Sequence, residues 1–221
     1  MTSLPLPTVI TQQQSLEHEI AALRIQLHFE KEARIHAETS LLMQDMAQEN
    51  GDPPASRMAM ITGLVKLADS RDDHTGSHLT RIRQYTAVIA GAVAEHNPQI
   101  LPMGEVSIIA AASILHDIGK VGIADDVLLH PNKLSSAQFE QMKQHAPIGA
   151  DILIALSEQL GPDPWIDTAI QIALGHHERW DGTGYPNGVE ACNIPLAARI
   201  VAVADVYDAL TSERVYKNSI P

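Results

Sequence analysis

Cysteine, aromatic side chains and positive charge are all scarce in this chain of 221 residues. The one cysteine, Cys192, excludes a disulfide within the chain and favours a cytoplasmic protein. Aromatic residues make up only 4% of the sequence, and sustained alternation of apolar and polar residues is nearly absent. Both absences argue against a sheet and favour an all-α fold.

Long apolar runs are also missing. The apolar run that ends at Leu115 is interrupted at once by His116 and Asp117, well short of the roughly 20 apolar residues that span a bilayer. No N-terminal signal peptide is evident, so we expect a cytoplasmic protein without a membrane span. A net charge of -12 excludes a broad electrostatic surface for duplex nucleic acid. It does not exclude a small nucleotide, because metal-binding carboxylates inflate the negative count.

The chain divides at residues 50–54, where Asn-Gly-Asp-Pro-Pro interrupts any helix. Residues 1–15 are predicted to be a mobile tail. Residues 16–50 have apolar residues at helical spacing, which predicts either a coiled coil or a single amphipathic helix that docks on its own domain. A coiled coil over residues 16–46 would make a homodimer and connect the domain to an upstream sensor.

Residues 58–221 are predicted to form one helical domain. Apolar residues recur there at helical spacing in seven segments. The predicted helices are Met58–Asp69, His78–Ala94, Val106–Leu115, Ser135–Gln144, Ile148–Leu160, Trp165–Leu174 and Ala197–Leu210.

Polar residues follow or interrupt three of these apolar segments. His116-Asp117 closes the third helix; the pair would be costly to bury without a partner, which is either a metal ion or a capping or core hydrogen bond. His176-His177 follows the sixth helix. Neighbouring histidines on a helix project about 100° apart, so we expect this pair to serve two adjacent ions. Asp205 and Asp208 share one face of the last helix and need partners, either a metal or a base such as Arg199.

Five separated blocks of the sequence form a pattern when they are taken together and in order. They are Asp72–Arg81, His116–Lys120, Lys143–Leu153, His176–Pro186 and Ile194–Lys217. These blocks, which include the His116-Asp117 pair and the Gly184-Tyr185-Pro186 motif, resemble the HD-GYP family of bacterial cyclic di-GMP phosphodiesterases, which is named after those two motifs. The resemblance covers about residues 58–221.

The resemblance implies an all-α HD-domain helical bundle with a metal centre. Asp117 would bridge two ions and, with Lys120, form the catalytic pair. Lys120 would lie near the scissile phosphate, with Tyr185, Arg214 and Lys217 as further substrate contacts. Imidazoles and carboxylates together suit iron or manganese, with zinc or nickel as alternatives, better than calcium. The implied ligands are His78, His116, Asp117, His145, His176, His177 and Asp205.

Two features depart from the family pattern. Where members with a third metal have glutamate, this chain has His74, which is either a further ligand one turn before His78 or an exposed residue of a loop; we expect a binuclear site without a third metal. Family domains also continue with further helices where this sequence stops at Pro221. We expect a shortened domain whose apolar surface near residues 204–210 is uncovered, or is covered by the N-terminal helix or a second subunit.

The function implied by the resemblance is hydrolysis of cyclic di-GMP to the linear dinucleotide pGpG, with GMP as a further product. A water shared by two metal ions would lose a proton near neutral pH and attack phosphorus. The alternative is a catalytically weak or inactive module that binds a cyclic dinucleotide or protein partners in signalling. An upstream sensor or a diguanylate cyclase is the expected kind of protein partner.

Overall fold

The computed structural model describes residues 62–63, 65 and 77–212. These residues form helices and connecting loops, without a strand among them, which confirms the all-α prediction. Several predictions lie outside the described residues: the tail at 1–15, the helical segment at 16–50, and the roles of His74, Arg214 and Lys217.

The helices follow the apolar segments of the sequence closely. The short helix α3 and the 3-10 turns were not predicted, and α5 begins three residues earlier than expected, at His145. The α-helices are α1 Ser77–His96, α2 Val106–Ala112, α3 Asp125–Leu128, α4 Ser136–Met142, α5 His145–Leu160, α6 Pro164–Gly175 and α7 Leu196–Thr211. The 3-10 helices are Met103–Glu105, Ser113–Leu115, Ile118–Gly122 and Ala191–Asn193.

Local sequence signals start two of these helices. The Ser135 hydroxyl accepts a hydrogen bond from the backbone of Gln138, whose side chain in turn accepts one from the Ser135 backbone, forming a capping box at α4. Asp163 accepts a hydrogen bond at 3.0 Å from the backbone N–H of Trp165, and Pro164 occupies the first turn of α6. These caps fix where α4 and α6 begin. They thereby help to position the histidines that follow the two helices, His145 after α4 and His176-His177 after α6.

Helix α6 lies at the centre of the bundle, in contact with α2, α5 and α7. Its residues Ile166, Ala169, Ile172 and Ala173 are fully buried. Burial of each isoleucine side chain stabilises the fold by about 1.5–3 kcal/mol. The small alanine side chains let the neighbouring helices approach closely. The apolar side chains thus hold the C-terminal end of α6 rigidly in the interior.

The segment after His116-Asp117 crosses directly over the start of α5. A side chain at Gly119 would overlap the backbone carbonyl of His145 and the backbone nitrogen of Gly149. Only glycine permits this approach, since both obstructing atoms belong to the main chain. The crossing brings Asp117 next to His145.

The last helix, α7, has an apolar surface that the other described residues leave exposed. Val203, Val206 and Leu210 are all solvent-exposed. Tyr207 is half exposed and packs edge-on against Tyr85 of α1 at a ring separation of 4.9 Å. Within the described part of the chain, no helix has both the length and the apolar character that crossing a bilayer requires.

Candidate metal centre

All seven ligands implied by the sequence lie in two compact groups. Within each group every residue offers one nitrogen or oxygen donor, and these donors lie within 4.8 Å of one another. The first group is Asp117, His145, His176 and His177, and the second is His78, His116 and Asp205.

Six of these seven residues lie at or near the start or the end of a helix, and the seventh, Asp205, lies within one. His78 is in the first turn of α1, and His145 is the first residue of α5. The remaining ligands are His116 and Asp117 between two 3-10 helices, His176 and His177 just after α6, and Asp205 in the middle of α7.

Asp117 lies between the two groups and directs one carboxylate oxygen toward each. Its Oδ1 is 3.3 Å from His145 Nε2 and 3.6 Å from His176 Nε2. Its Oδ2 is 3.3 Å from His116 Nε2. Charge-assisted hydrogen bonds are shorter, about 2.7–2.9 Å. Two ligand atoms that each lie about 2.1 Å from one metal ion, at an angle of about 90–109°, are about 3.0–3.4 Å apart. The distances from the Asp117 oxygens to the histidine nitrogens are close to this range and longer than hydrogen bonds of this kind, as expected for ligands of a shared ion.

The buried imidazoles are oriented by the backbone. The Nδ1 atom of His116 lies 2.9 Å from the carbonyl oxygen of Ser113, and that of His145 lies 2.8 Å from Met142. His176 makes the same contact with Ile172 at 3.0 Å. A carbonyl only accepts, so the proton of the neutral ring sits on Nδ1 and the lone pair of Nε2 faces the group, the arrangement typical of metal-binding histidines.

Two buried polar atoms in this centre have no hydrogen-bond partner among the described residues: His116 Nε2 and Asp117 Oδ1. A buried donor or acceptor left without a partner costs about 1–3 kcal/mol. A metal ion in each group would satisfy both atoms. The residues therefore fit the ions that the motif blocks imply.

Protonation in the centre is governed by burial and by Asp117. Burial lowers the pKa of His145 to about 4 and that of His177 to about 2, so both rings are neutral at pH 7, the form that binds metal. Burial also disfavours protonation of His116, but the Asp117 carboxylate outweighs it and raises the pKa of His116 to about 9. A metal ion that binds His116 Nε2 at pH 7 would therefore displace a proton from this ring. Burial opposes ionisation of Asp117, yet Lys120 and His116 hold its pKa well below the usual range.

The adjacent histidines after α6 are arranged differently from our expectation. His176 and His177 belong to the same group, with ring centres 4.0 Å apart. The expectation assumed that both residues continue a helix, but α6 ends at Gly175 and the chain turns. It is therefore Asp117, and not the pair of histidines, that faces both groups.

Asp208 is a functional candidate whose partner the sequence did not reveal. Its Oδ2 is 2.8 Å from His78 Nδ1 and accepts a hydrogen bond at 3.0 Å from Arg81 Nη2, and the side chain is buried. Burial disfavours the Asp208 carboxylate, but His78 and Arg81 hold its pKa well below the usual range. Arg199, the base considered from the sequence, instead donates to the carbonyl of Ile194. Asp208 of α7 is thus positioned to orient the imidazole of His78 in α1.

Glu178, also missed from the sequence, holds the Gly-rich loop in place. Its buried carboxylate accepts hydrogen bonds from the backbone nitrogens of Asn187 at 2.7 Å and Val189 at 3.1 Å. The loop places the Tyr185 ring in a stack on His177, with ring centres 4.6 Å apart. The sequence did contain a sign of this role. Glu178 directly follows two candidate ligands and begins a Gly-rich loop, whose backbone N–H groups need hydrogen-bond acceptors.

A groove of about 370 Å³ opens beside the two groups. His176, His177 and Asp205 form part of its lining, and Tyr185 lies in its wall. The Lys120 ammonium lies 2.9 Å from Asp117 Oδ2, and the Lys120 side chain is mostly buried. The centre is therefore accessible to a ligand of small-molecule size.

Comparison with known proteins identifies the family. A family model described as HD domain matches residues 62–221. The chain belongs to the HD domain family. This confirms the family that the five motif blocks indicated.

Several curated proteins are similar to this HD domain. A cyclic di-GMP phosphodiesterase of Vibrio cholerae is 41% identical over 182 residues, which cover 81% of this chain and 37% of the relative. A cyclic di-GMP phosphodiesterase of Thermotoga maritima is 43% identical over 160 residues, 72% of this chain and 40% of the relative. A 3'3'-cGAMP-specific phosphodiesterase of Vibrio cholerae is 36% identical over 159 residues, 72% and 28% of the two chains. The chain spans less than half the length of these relatives.

Proposed function

We propose that this HD domain is a metal-dependent phosphodiesterase that hydrolyses cyclic di-GMP to pGpG, with GMP as a further product. The observation that carries the proposal is the pair of donor groups that meet at Asp117, one facing each carboxylate oxygen. The names of the similar proteins from two bacteria support cyclic di-GMP as the substrate.

Two divalent transition-metal ions are the proposed cofactors, one in each group. The donors are five imidazoles and two carboxylates, a set that suits iron or manganese, and also zinc or nickel, better than the all-oxygen preference of calcium. The ligands are those of the two groups, with Asp117 shared. A third metal is not part of the proposal.

Bound ions would supply Lewis-acid polarisation of the phosphoryl oxygens and lower the pKa of an attacking water. The residues supply position and charge. Asp117 is ionised and partly buried between the groups, and its carboxylate pairs with the Lys120 ammonium. Lys120 is proposed to stabilise or protonate the leaving ribose oxygen. Tyr185, Arg214 and Lys217 are proposed to contact the substrate, the last two from outside the described residues.

Elemental analysis combined with turnover tests the proposal. Protein prepared without oxygen should contain about two transition-metal ions per chain and convert cyclic di-GMP to pGpG. The His116→Ala variant should lose metal and activity, because His116 is buried in the second group. His96→Ala is the matched control, since His96 is exposed at the end of α1. Absence of turnover by metal-loaded wild-type protein would reject the enzymatic proposal.

A second candidate substrate is 3'3'-cGAMP, because a similar protein is named for that specificity. The metal groups recognise a phosphodiester and not a base, so they do not discriminate between the two dinucleotides. Specificity constants measured side by side on both dinucleotides decide between them. Binding of either one without cleavage would instead support the signalling module.

Residues 16–46 are proposed to form a homodimer through a coiled coil and to relay a signal from a sensor or a diguanylate cyclase. The support is the apolar spacing of that segment in the sequence. Light scattering on the whole chain and on a shortened chain beginning at Ala55 tests the dimer. A dimer that survives the shortening would contradict the coiled-coil explanation.

A further inference from the structure

The outer wall of the groove beside the metal centre contains an exposed aromatic ring and a cation. Phe139 of α4 and Lys143, just after it, line the groove together with Tyr185, while His176 and Asp205 lie at its metal-binding end. The volume of about 370 Å³ falls at the lower end of the roughly 300–1,000 Å³ typical of small-molecule sites. A ligand anchored at the metal groups would therefore reach this wall.

Phe139 has no role in the apolar core. The small cluster that packs beside α4 consists of Ile123, Val127 and Leu128 with the partly buried Met142, and Phe139 is not part of it. The Phe139 side chain is 45% exposed, and its ring lies in a T-shaped arrangement with the Tyr185 ring at a centre separation of 6.2 Å. The exposed part of the ring is thus accessible to a ligand in the groove.

Lys143 places a positive charge at the same wall. Its Nζ is 5.1 Å from the centre of the Phe139 ring and 5.7 Å from the centre of the Tyr185 ring. Its ion-pair partner is Glu140, at 2.7 Å. Glu140 is 67% exposed, so water screens this pair and little free energy opposes its rearrangement.

A cyclic dinucleotide has two bases and two phosphates, of which only one phosphate can react at a time. The remaining parts need a flat apolar surface and a cation next to the metal centre, and a chain with a net charge of -12 must supply that cation locally. We propose that one base of the substrate stacks on Phe139 and that the non-reacting phosphate is bound by Lys143. This inference rests on the proposed function and assigns to these two residues the recognition of the substrate outside the metal centre.

Steady-state kinetics with cyclic di-GMP, combined with inhibition by inorganic phosphate, test the assignment. Phosphate has no base, so its inhibition constant does not depend on base stacking. Phe139→Leu should raise KM about fivefold or more, as expected for loss of base stacking, with kcat and the inhibition constant for phosphate within about twofold. Phe139→Trp retains an aromatic face and should keep KM near the wild-type value. Lys143→Met should raise KM about threefold or more, whereas Glu140→Gln, which frees Lys143, should lower it or leave it unchanged.

Each result has a distinct meaning. An unchanged KM in Phe139→Leu overturns the stacking assignment, and an unchanged KM in Lys143→Met overturns the phosphate contact. In Phe139→Leu, a parallel rise in KM and in the inhibition constant for phosphate would also overturn the stacking assignment, because phosphate has no base and the rise would show damage to the metal centre. Wild-type turnover, measured first, separates these outcomes from failure of the proposed function.

Discussion

Asp208→Asn should weaken metal binding at the group that contains His78. In the wild-type protein the Asp208 carboxylate can only accept at His78 Nδ1, 2.8 Å away, and so directs the His78 Nε2 lone pair toward His116 and Asp205. An asparagine amide can donate at that position instead. The proton of the imidazole would then move to Nε2, the atom needed for coordination.

The expected magnitudes follow from the contacts. Residues that orient a metal-binding histidine typically account for about 10–100-fold in metal affinity, so we expect a loss in that range. The variant also loses charge-assisted hydrogen bonds to Arg81 and His78, worth about 1.5–3 kcal/mol each in a buried setting. Asparagine can keep neutral hydrogen bonds in their place, and Arg81 is 27% exposed and can regain water. We therefore expect a net loss below that combined range, about 1–2 kcal/mol, in the free energy of unfolding.

Competition with a chelating indicator measures the affinity, and calorimetry of chelator-treated protein measures the stability. Arg81→Met is the matched variant, because it removes the second partner of Asp208 and leaves His78 and the carboxylate in contact. It should lower stability while keeping metal affinity within about twofold. If both variants lose affinity in proportion to their loss of stability, Asp208 serves the fold alone and the argument for orientation of His78 is refuted.

Three further predictions concern packing and metal. Gly119→Ala should destabilise the fold by about 3 kcal/mol or more, because its methyl group meets the backbone of His145. The control Gly91→Ala, whose methyl group meets nothing within 4 Å, should stabilise α1 by about 0.5–1 kcal/mol. Equal melting temperatures of the two variants would contradict this prediction. Glu178→Gln should cost about 1–3 kcal/mol and speed proteolysis in the loop 180–190, because the new amide faces a backbone N–H; an unchanged cleavage rate would argue against Glu178 as the anchor. Chelation should lower the melting temperature, since metal at about 100 times its Kd stabilises by about 2.7 kcal/mol; an unchanged value would count against a metal in the buried groups.

The sequence was most informative about elements and about residue types. Apolar spacing predicted the long helices to within a few residues, since burial of one helix face imposes that spacing. The polar pair His116-Asp117, at the end of an apolar segment, is costly to bury alone, which marks it as a candidate for metal contact. Order and spacing of the motif blocks then indicated the HD domain family, and the family comparison confirmed it.

The grouping of the ligands could not be read from the same residues. Helical spacing tells which face of α7 holds Asp205 and Asp208, but not which neighbouring helix that face meets. The structure places one near His116 and the other against His78 and Arg81. It also places His176 and His177 in one group because α6 stops at Gly175, a change of direction that periodicity does not contain.

The amino-acid sequence by itself therefore determined the all-α architecture, which depends on residue type and local spacing. It also indicated the family, and the candidate donors were implied by that resemblance. Tertiary structure alone decided which donors share a group, that Asp117 faces both groups, and that Asp208 and Glu178 support them. Those relationships depend on distances of a few ångströms between helices far apart in the chain. Side-chain packing, such as the crossing of Gly119 over the start of α5, sets these distances.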